Sequence, residues 1–188
     1  MCGGEFGSSP SDKCYKYVPQ SDSWVESGTM STLKGKVRSG FSESWGLVMA
    51  QYGQPLEVSK NGADFELLAE YPNAGVLPDP SGRDSGCLVI IDDNQIFLAG
   101  GERQGMVNSD QAFMFNKESN SWRELQRMTV GRRYHSCGMV ANSDGTGKQV
   151  VVAGGKIDRV YTDSVEIFSL ETESWRQGNN AINEKGVI

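Results

Sequence analysis

One phrase occurs three times in this chain, and it constrains the fold more than any other feature. It runs Gly-Gly, a variable stretch, Asp, an aromatic, then Ser-Trp. The copies are Gly3-Gly4…Asp12…Tyr17…Ser23-Trp24, Gly100-Gly101…Asp110…Phe115…Ser121-Trp122 and Gly154-Gly155…Asp163…Phe168…Ser174-Trp175. Asp precedes Trp by 12 residues and the aromatic precedes it by 7 in every copy. A recurrence of about 50 residues with strand-like content is the signature of a radial β array.

Aligning the copies on Trp exposes the unit. Two apolar runs precede each later Gly-Gly: Cys87–Ile91 with Gln95–Gly100, and Cys137–Ala141 with Gln149–Gly154. The polar turns Asp92-Asp93-Asn94 and 142–147 join them as hairpins. An alternating segment and a short Trp strand follow, which makes four antiparallel strands per unit. A degenerate copy fills the gap between the first two. Gly46–Ala50 stands for the Gly-Gly strand, and Val58 precedes Phe65 by 7 residues, so Phe65 takes the place of Trp. Its loop is shorter, with 15 residues from Ala50 to Phe65 against 21 or 22 from the first Gly to Trp elsewhere.

A lone four-stranded sheet cannot bury both of its apolar faces, whereas sheets stacked around an axis can. Trp24, Trp122, Trp175 and their aromatics are therefore expected to fill the space between neighbouring sheets. Each such Trp would contribute about 3–5 kcal/mol. Gly3, Gly4, Gly100, Gly101, Gly154 and Gly155 are expected to permit sharp turns and close backbone approach.

These residues resemble the kelch motif of kelch β-propellers. Arg132-Arg-Tyr-His135, Gly154-Gly155, Phe168 and Trp175 follow its pattern. Trp122 with Met128 and Trp24 with Met30 match its Trp-to-Met ending. The second unit departs by lacking Gly-Gly and Trp, and Arg83 sits one residue off register. The resemblance implies an all-β kelch-type propeller fragment, with about three four-stranded blades plus a partial N-terminal blade. The expected division is 1–30 (end of a blade), 31–72 (degenerate blade), 73–128 (blade) and 129–182 (blade). Closing such a propeller takes about six blades, so further blades are expected in a full-length chain or from a partner.

Little in the chain points to catalysis. His135 is the only histidine. It is either a base or metal ligand, or a motif histidine at the start of an inner strand, and the resemblance implies the second. An oxidase-like propeller enzyme needs more than one His ligand for its metal. No nucleophilic triad assembles, and no Gly-Lys-Ser/Thr marks a phosphate loop. No cofactor and no metal are expected. The net charge of −6 argues against nucleic-acid partners. No run of 18 apolar residues suggests membrane insertion.

The cysteines form no Cys-x-x-Cys. Cys2 and Cys14 fall on facing positions of adjacent strands, where a disulfide is geometrically feasible. That bridge would place the chain in an oxidising, extracellular setting, although the chain has no Asn-x-Ser/Thr sequon. Cys87 and Cys137 occupy equivalent inner-strand positions and are expected to be free, buried small hydrophobes.

The resemblance implies partner docking on the face built by post-Gly-Gly loops and inter-unit crossovers. These loops carry Lys34, Lys36, Arg38, Arg83, Arg103, Arg127, Arg132, Arg133, Lys156 and Arg159 against Glu5, Asp79, Asp84, Glu102 and Asp158. Ten cations minus five acids leaves +5 on a chain of −6. Two readings follow: a basic mouth for an acidic protein or peptide, or Arg83 and Arg132 as motif arginines that brace the blade, with the other charges ordinary solvated ones. The expected ligand-binding residues are Arg38, Arg83, Arg103, Arg132, Arg133, Tyr134, Lys156, Arg159 and Tyr161, with Met106 also lying in these loops. The function expected is a noncatalytic protein-binding module. The substrate-receptor part of a cullin-type ubiquitin ligase adaptor is the alternative setting.

Overall fold

The computed structural model describes residues 1–3, 5–6, 9–34, 38–50, 55–68, 86–103, 107–142, 145 and 147–179. The expected contacts of Gly4, Lys36, Asp79, Arg83, Asp84 and Met106 lie outside them. Among the described residues every regular element is a strand, and no helix is long and apolar enough to cross a membrane. The chain divides into two compact units, Met1–Pro80 and Ser81–Ile188.

The first unit holds two antiparallel sheets. One has the order β1 (Glu5–Phe6), β2 (Ser9–Val18), β3 (Ser23–Lys34). The other runs β4 (Arg38–Ser42), β5 (Gly46–Ala50), β6 (Glu57–Ser59), β7 (Glu66–Leu67). Cys14, Met30 and Met49 form their core, with Cys2, Leu47 and Phe65 packed alongside. Residues 1–3 run antiparallel to β2: the Gly3 amide donates to Lys13 O at 3.0 Å, and the Tyr15 amide to Met1 O at 2.7 Å. A disulfide joins Cys2 to Cys14, whose Cα atoms are 4.0 Å apart. Trp45, which the repeat leaves without a role, is buried at the β4–β5 turn, where its amide donates to Ser42 Oγ at 3.1 Å.

The second unit holds two four-stranded sheets. The first has β8 (Cys87–Ile90), β9 (Gln95–Ala99), β12 (Ala112–Asn116) and β13 (Ser121–Glu124), with the hairpin β10 (Glu102–Arg103) and β11 (Val107–Asn108) branching off after Gly100-Gly101. The second repeats the plan with β14 (Ser136–Ala141), β15 (Lys148–Ala153), β18 (Val165–Ser169) and β19 (Ser174–Gln177). Its hairpin β16 (Lys156–Ile157) and β17 (Val160–Tyr161) follows Gly154-Gly155. Antiparallel four-stranded sheets with this order are blades of the kelch propeller type. One core runs through both sheets, built on Phe97, Met114, Met128, Val150, Val152 and Phe168.

The spacing of 7 is a register. Tyr17 lies directly opposite Trp24, Phe115 opposite Trp122 and Phe168 opposite Trp175. Each pair closes a turn whose residue two before Trp has positive φ: Asp22 at 47°, Asn120 at 47° and Glu173 at 50°. Asp and Asn tolerate that conformation through local hydrogen bonds. The degenerate unit breaks this rule. Val58 pairs with Glu66, one residue beyond Phe65, because a turn stapled by Asn61 Oδ1 to the amides of Ala63 and Asp64 is one residue longer. A one-residue slip exchanges the faces of a strand, so Phe65 is not the cross-strand counterpart of Trp, although it still packs on the core of its own unit.

Two expectations need correction. Cys87 and Cys137 are not free: they are joined by a disulfide, with Cα atoms 5.9 Å apart. Equivalent positions on successive inner strands lie side by side, within the span of a bridge. The tryptophans are also unequal. Trp175 packs on Phe168 at 5.1 Å and on Phe97 of the preceding blade at 6.2 Å between ring centroids. Its Nε1 donates to Gln126 O of the crossover at 2.7 Å. Trp24 stacks on Tyr17 at 5.5 Å, with no second ring contact among the described residues, and remains 56% exposed.

Trp175→Ala is therefore expected to lower unfolding free energy by about 3 kcal/mol and Trp24→Ala by less than about 1 kcal/mol, since cavity and transfer terms scale with burial. Urea denaturation of the two variants measures this; equal losses would contradict it.

Candidate functional site

The Gly-Gly end of the second unit is organised by the crossover from β13 to β14, residues 129–135. Its first amide, on Thr129, donates to Glu166 Oε1 at 2.6 Å. Arg132 is fully buried. Its guanidinium donates to Glu166 Oε2 at 2.8 Å, to Ser164 O at 2.8 Å and to Gly154 O at 3.2 Å. Its backbone is held by the preceding blade: its amide donates to Ser109 O at 3.1 Å, and its carbonyl accepts from Gly101 at 2.8 Å. Arg133 then pairs with Lys156 through both backbone bonds, at 3.2 and 2.8 Å, and its guanidinium meets Glu102 at 2.7 Å.

The glycine pairs make room for this crossover. A Cβ on Gly100 (φ 63°) would come within 2.4 Å of His135 Cε1. A Cβ on Gly155 (φ 91°) would come within 2.5 Å of Arg133 O. His135 is thus packed between the Gly-Gly turns of two successive blades. Gly101 and Gly154 also have positive φ, at 106° and 68°, and so does Gly3, at 65°.

Tyr134 points the other way. Its neighbours Arg133 and His135 are buried, while Tyr134 is 52% exposed with φ 56°. Left-handed backbone at this one residue lets both neighbours face inward and its ring face out. Such a conformation costs a residue bearing a Cβ about 1–2 kcal/mol. The ring has Arg133 Cζ at 5.4 Å and Lys156 Nζ at 5.9 Å from its centroid. Lys156 Nζ is also 4.3 Å from the ring centroid of Tyr161. Tyr161 is 75% exposed, and Val160 on the same hairpin and Val107 on the β10–β11 hairpin are exposed as well. Asp158 and Arg159, with φ 47° and 74°, form the tight turn of β16–β17. Asn108 Nδ2 donates to Lys156 O at 3.3 Å, tying the two hairpins together. The result is an aromatic and β-branched surface with cationic edges, mounted on backbone fixed by hydrogen bonds.

The structure redistributes the charges expected of a basic mouth. Arg132 and Arg133 are not available to a ligand, because each is buried against a carboxylate of this chain. Arg127 lies 3.0 Å from Glu124 and 3.6 Å from Asp110. Arg38 is buried at the start of β4 in the other unit, and Lys34 ends β3 there. Arg103 lies in β10 opposite Val107. Among the residues of this face whose side chains are described, Lys156 and Arg159 are the cations that show no carboxylate contact.

Sequence reasoning missed Val107, Val160 and Glu166. Glu166 had a readable signal, since it is a lone charge among Val165, Ile167 and Phe168 in β18. Glu57 in β6 is its counterpart: it is fully buried, and its Oε2 accepts the Ser31 amide at 2.6 Å. Ser31 follows Met30 as Thr129 follows Met128. Among the described residues no three His, Cys, Asp or Glu side chains converge as a metal site.

Known proteins show the same repeat. The kelch motif model matches residues 85–129 and 145–181. An F-box/kelch-repeat protein of Arabidopsis thaliana is 29% identical over 101 residues, covering 54% of this chain and 23% of that protein. A putative F-box/kelch-repeat protein of the same plant is 28% identical over 116 residues, covering 60% of this chain and 29% of that protein. The chain thus spans less than a third of the length of these relatives.

If Tyr134 is held in left-handed backbone, Tyr134→Gly should be more stable than Tyr134→Ala by about 1 kcal/mol, the reverse of the usual order within strands. Thermal denaturation decides it; Ala equal to or above Gly would contradict this conformation.

Proposed function

Because this chain belongs to the kelch-repeat family, we propose that it is a noncatalytic protein-binding module that receives its partner on the hairpin and crossover face of the Ser81–Ile188 unit. The observation that carries this reading is the exposure of Tyr134, Tyr161, Val107 and Val160 on backbone tied down by hydrogen bonds. Aromatic anchors on a rigid scaffold bind with little loss of conformational freedom. His135, packed between two glycine turns, is committed to the fold rather than to chemistry. The partner segment carries carboxylates for Lys156 and Arg159 beside an apolar surface for the tyrosines and valines. Two unpaired cations act at short range, so recognition here is local rather than a long-range steering field.

The setting that the relatives favour is the substrate-receptor part of a cullin-type ubiquitin ligase adaptor, since their names join an F-box to kelch repeats. The extracellular setting draws support only from the cysteine bridges.

The test is a photocrosslinking residue at position 161 or 107, compared with positions 93 and 171 in turns at the opposite ends of the strands. The expected result is a discrete protein adduct from 161 and 107 only. The double variant Lys156→Glu, Arg159→Glu should lower its yield about tenfold, equivalent to 1.4 kcal/mol. Equal adducts at 93 and 171, or none at 161, would refute the reading.

A further inference from the structure

The disulfide between Cys87 and Cys137 bears on that same face. β8 and β14 are both edge strands of their sheets. Among the described residues each pairs only within its own sheet, β8 with β9 and β14 with β15. The cross-blade bond between Cys87, at the start of β8, and Cys137, the second residue of β14, therefore ties two sheet edges that no backbone ladder joins. It links residues separated by 50 in sequence. Cys137 lies two residues beyond buried His135 and three beyond Tyr134, so whatever fixes the start of β14 also fixes the end of the crossover.

Cys137 is the less buried end of the bond, although its side chain packs against the core. Cys87 is buried, but Cys137 is half-buried in a strand whose other residues, Ser136 and Gly138 to Ala141, are exposed. A small thiolate can attack the Cys137 sulfur, and attack through an accessible sulfur is how protein disulfides are opened. The other bridge, Cys2–Cys14, lies within the Met1–Pro80 unit and gives a built-in comparison.

We infer that Cys87–Cys137 is a reversible redox clasp that sets how firmly the crossover, and with it Tyr134, is held for a partner. This rests on the reading of the hairpin and crossover face as the partner-binding surface. Closure is thiol–disulfide exchange with a low-molecular-weight disulfide such as oxidised glutathione. The Cys137 thiolate attacks it and releases one thiol; the Cys87 thiolate then attacks the mixed disulfide and releases the second. Two protein thiols lose two electrons and two protons, and one small disulfide becomes two small thiols. Excess thiol reverses both steps. With the bond open, the Arg132 and Arg133 anchors remain, but the start of β14 can separate from β8 and the crossover loosens.

The experiment compares the full chain before and after dithiothreitol, with thiols counted by mass spectrometry. Two controls accompany it: Cys87→Ser/Cys137→Ser, and Cys2→Ser/Cys14→Ser, in which only the clasp can respond. The readouts are NMR hydrogen exchange at the amides of Gly101, Arg132, Arg133 and Lys156, and adduct yield at position 161. Reduction should speed exchange at these four amides at least about tenfold through local opening. It should also lower adduct yield, both in the native chain and in Cys2→Ser/Cys14→Ser, with no such response in Cys87→Ser/Cys137→Ser. Unchanged exchange on reduction, or a response that survives in Cys87→Ser/Cys137→Ser, overturns the clasp. Faster exchange with equal adduct yield in both redox states overturns its control of binding and leaves the binding face standing. No adduct in either state removes the binding reading itself and the regulatory role with it.

Discussion

The arrangement of the second unit depends on one buried charge pair. Arg132 and Glu166 are both withdrawn from water, 2.8 Å apart. Two charges taken out of water hold together best when most of their remaining donors and acceptors are also paired. Here the guanidinium also meets two backbone carbonyls and the carboxylate takes the Thr129 amide, while the Arg132 Nε lacks a hydrogen-bond partner among the described residues. The pair thereby fixes both ends of the turn from 129 to 132 against β18. The degenerate blade of the other unit lacks Gly-Gly and the strand Trp but has one half of this arrangement, a buried Glu57 that accepts the Ser31 amide.

The exposed surface follows from that anchoring. With Arg132, Arg133 and His135 turned inward, the backbone has one residue left to turn outward, and Tyr134 takes it at the expense of left-handed geometry. Gly100 and Gly155 are required because the crossover passes where their side chains would be. The hairpins after Gly100-Gly101 and Gly154-Gly155 carry the exposed Val107, Val160 and Tyr161, and Asn108 and Arg133 are hydrogen-bonded to Lys156. Along the crossover Arg132, Arg133 and His135 are buried in the fold, and Tyr134 between them faces outward.

Sequence spacing revealed much of this. The cross-strand aromatic and Trp, the hairpins ending in Gly-Gly and the four-stranded plan all come from short-range periodicity, which a strand ladder converts directly into contacts. The pairing of charges was hidden because it joins residues far apart in sequence: nothing local shows that Arg132 meets Glu166 or that Arg133 meets Glu102. A count of loop charges therefore overstated the basic mouth. The bridge between Cys87 and Cys137 was hidden for the same reason, since equivalent positions in two repeats do not reveal the distance between them. Phe65 was misplaced by one residue because the Asn61 turn is longer than those of the regular blades. Trp45 sits in a turn where the repeat has no slot.

The central claim is that the buried pair holds the crossover in place, and the unfolding free energy of Glu166→Gln tests it most directly. The substitution keeps size and shape but leaves the Arg132 charge uncompensated. Chemical denaturation should show a loss of about 3–5 kcal/mol relative to the unmodified chain, the usual consequence of breaking one side of a buried ion pair. A loss below about 0.5 kcal/mol, the range of an ordinary surface substitution, would contradict the account.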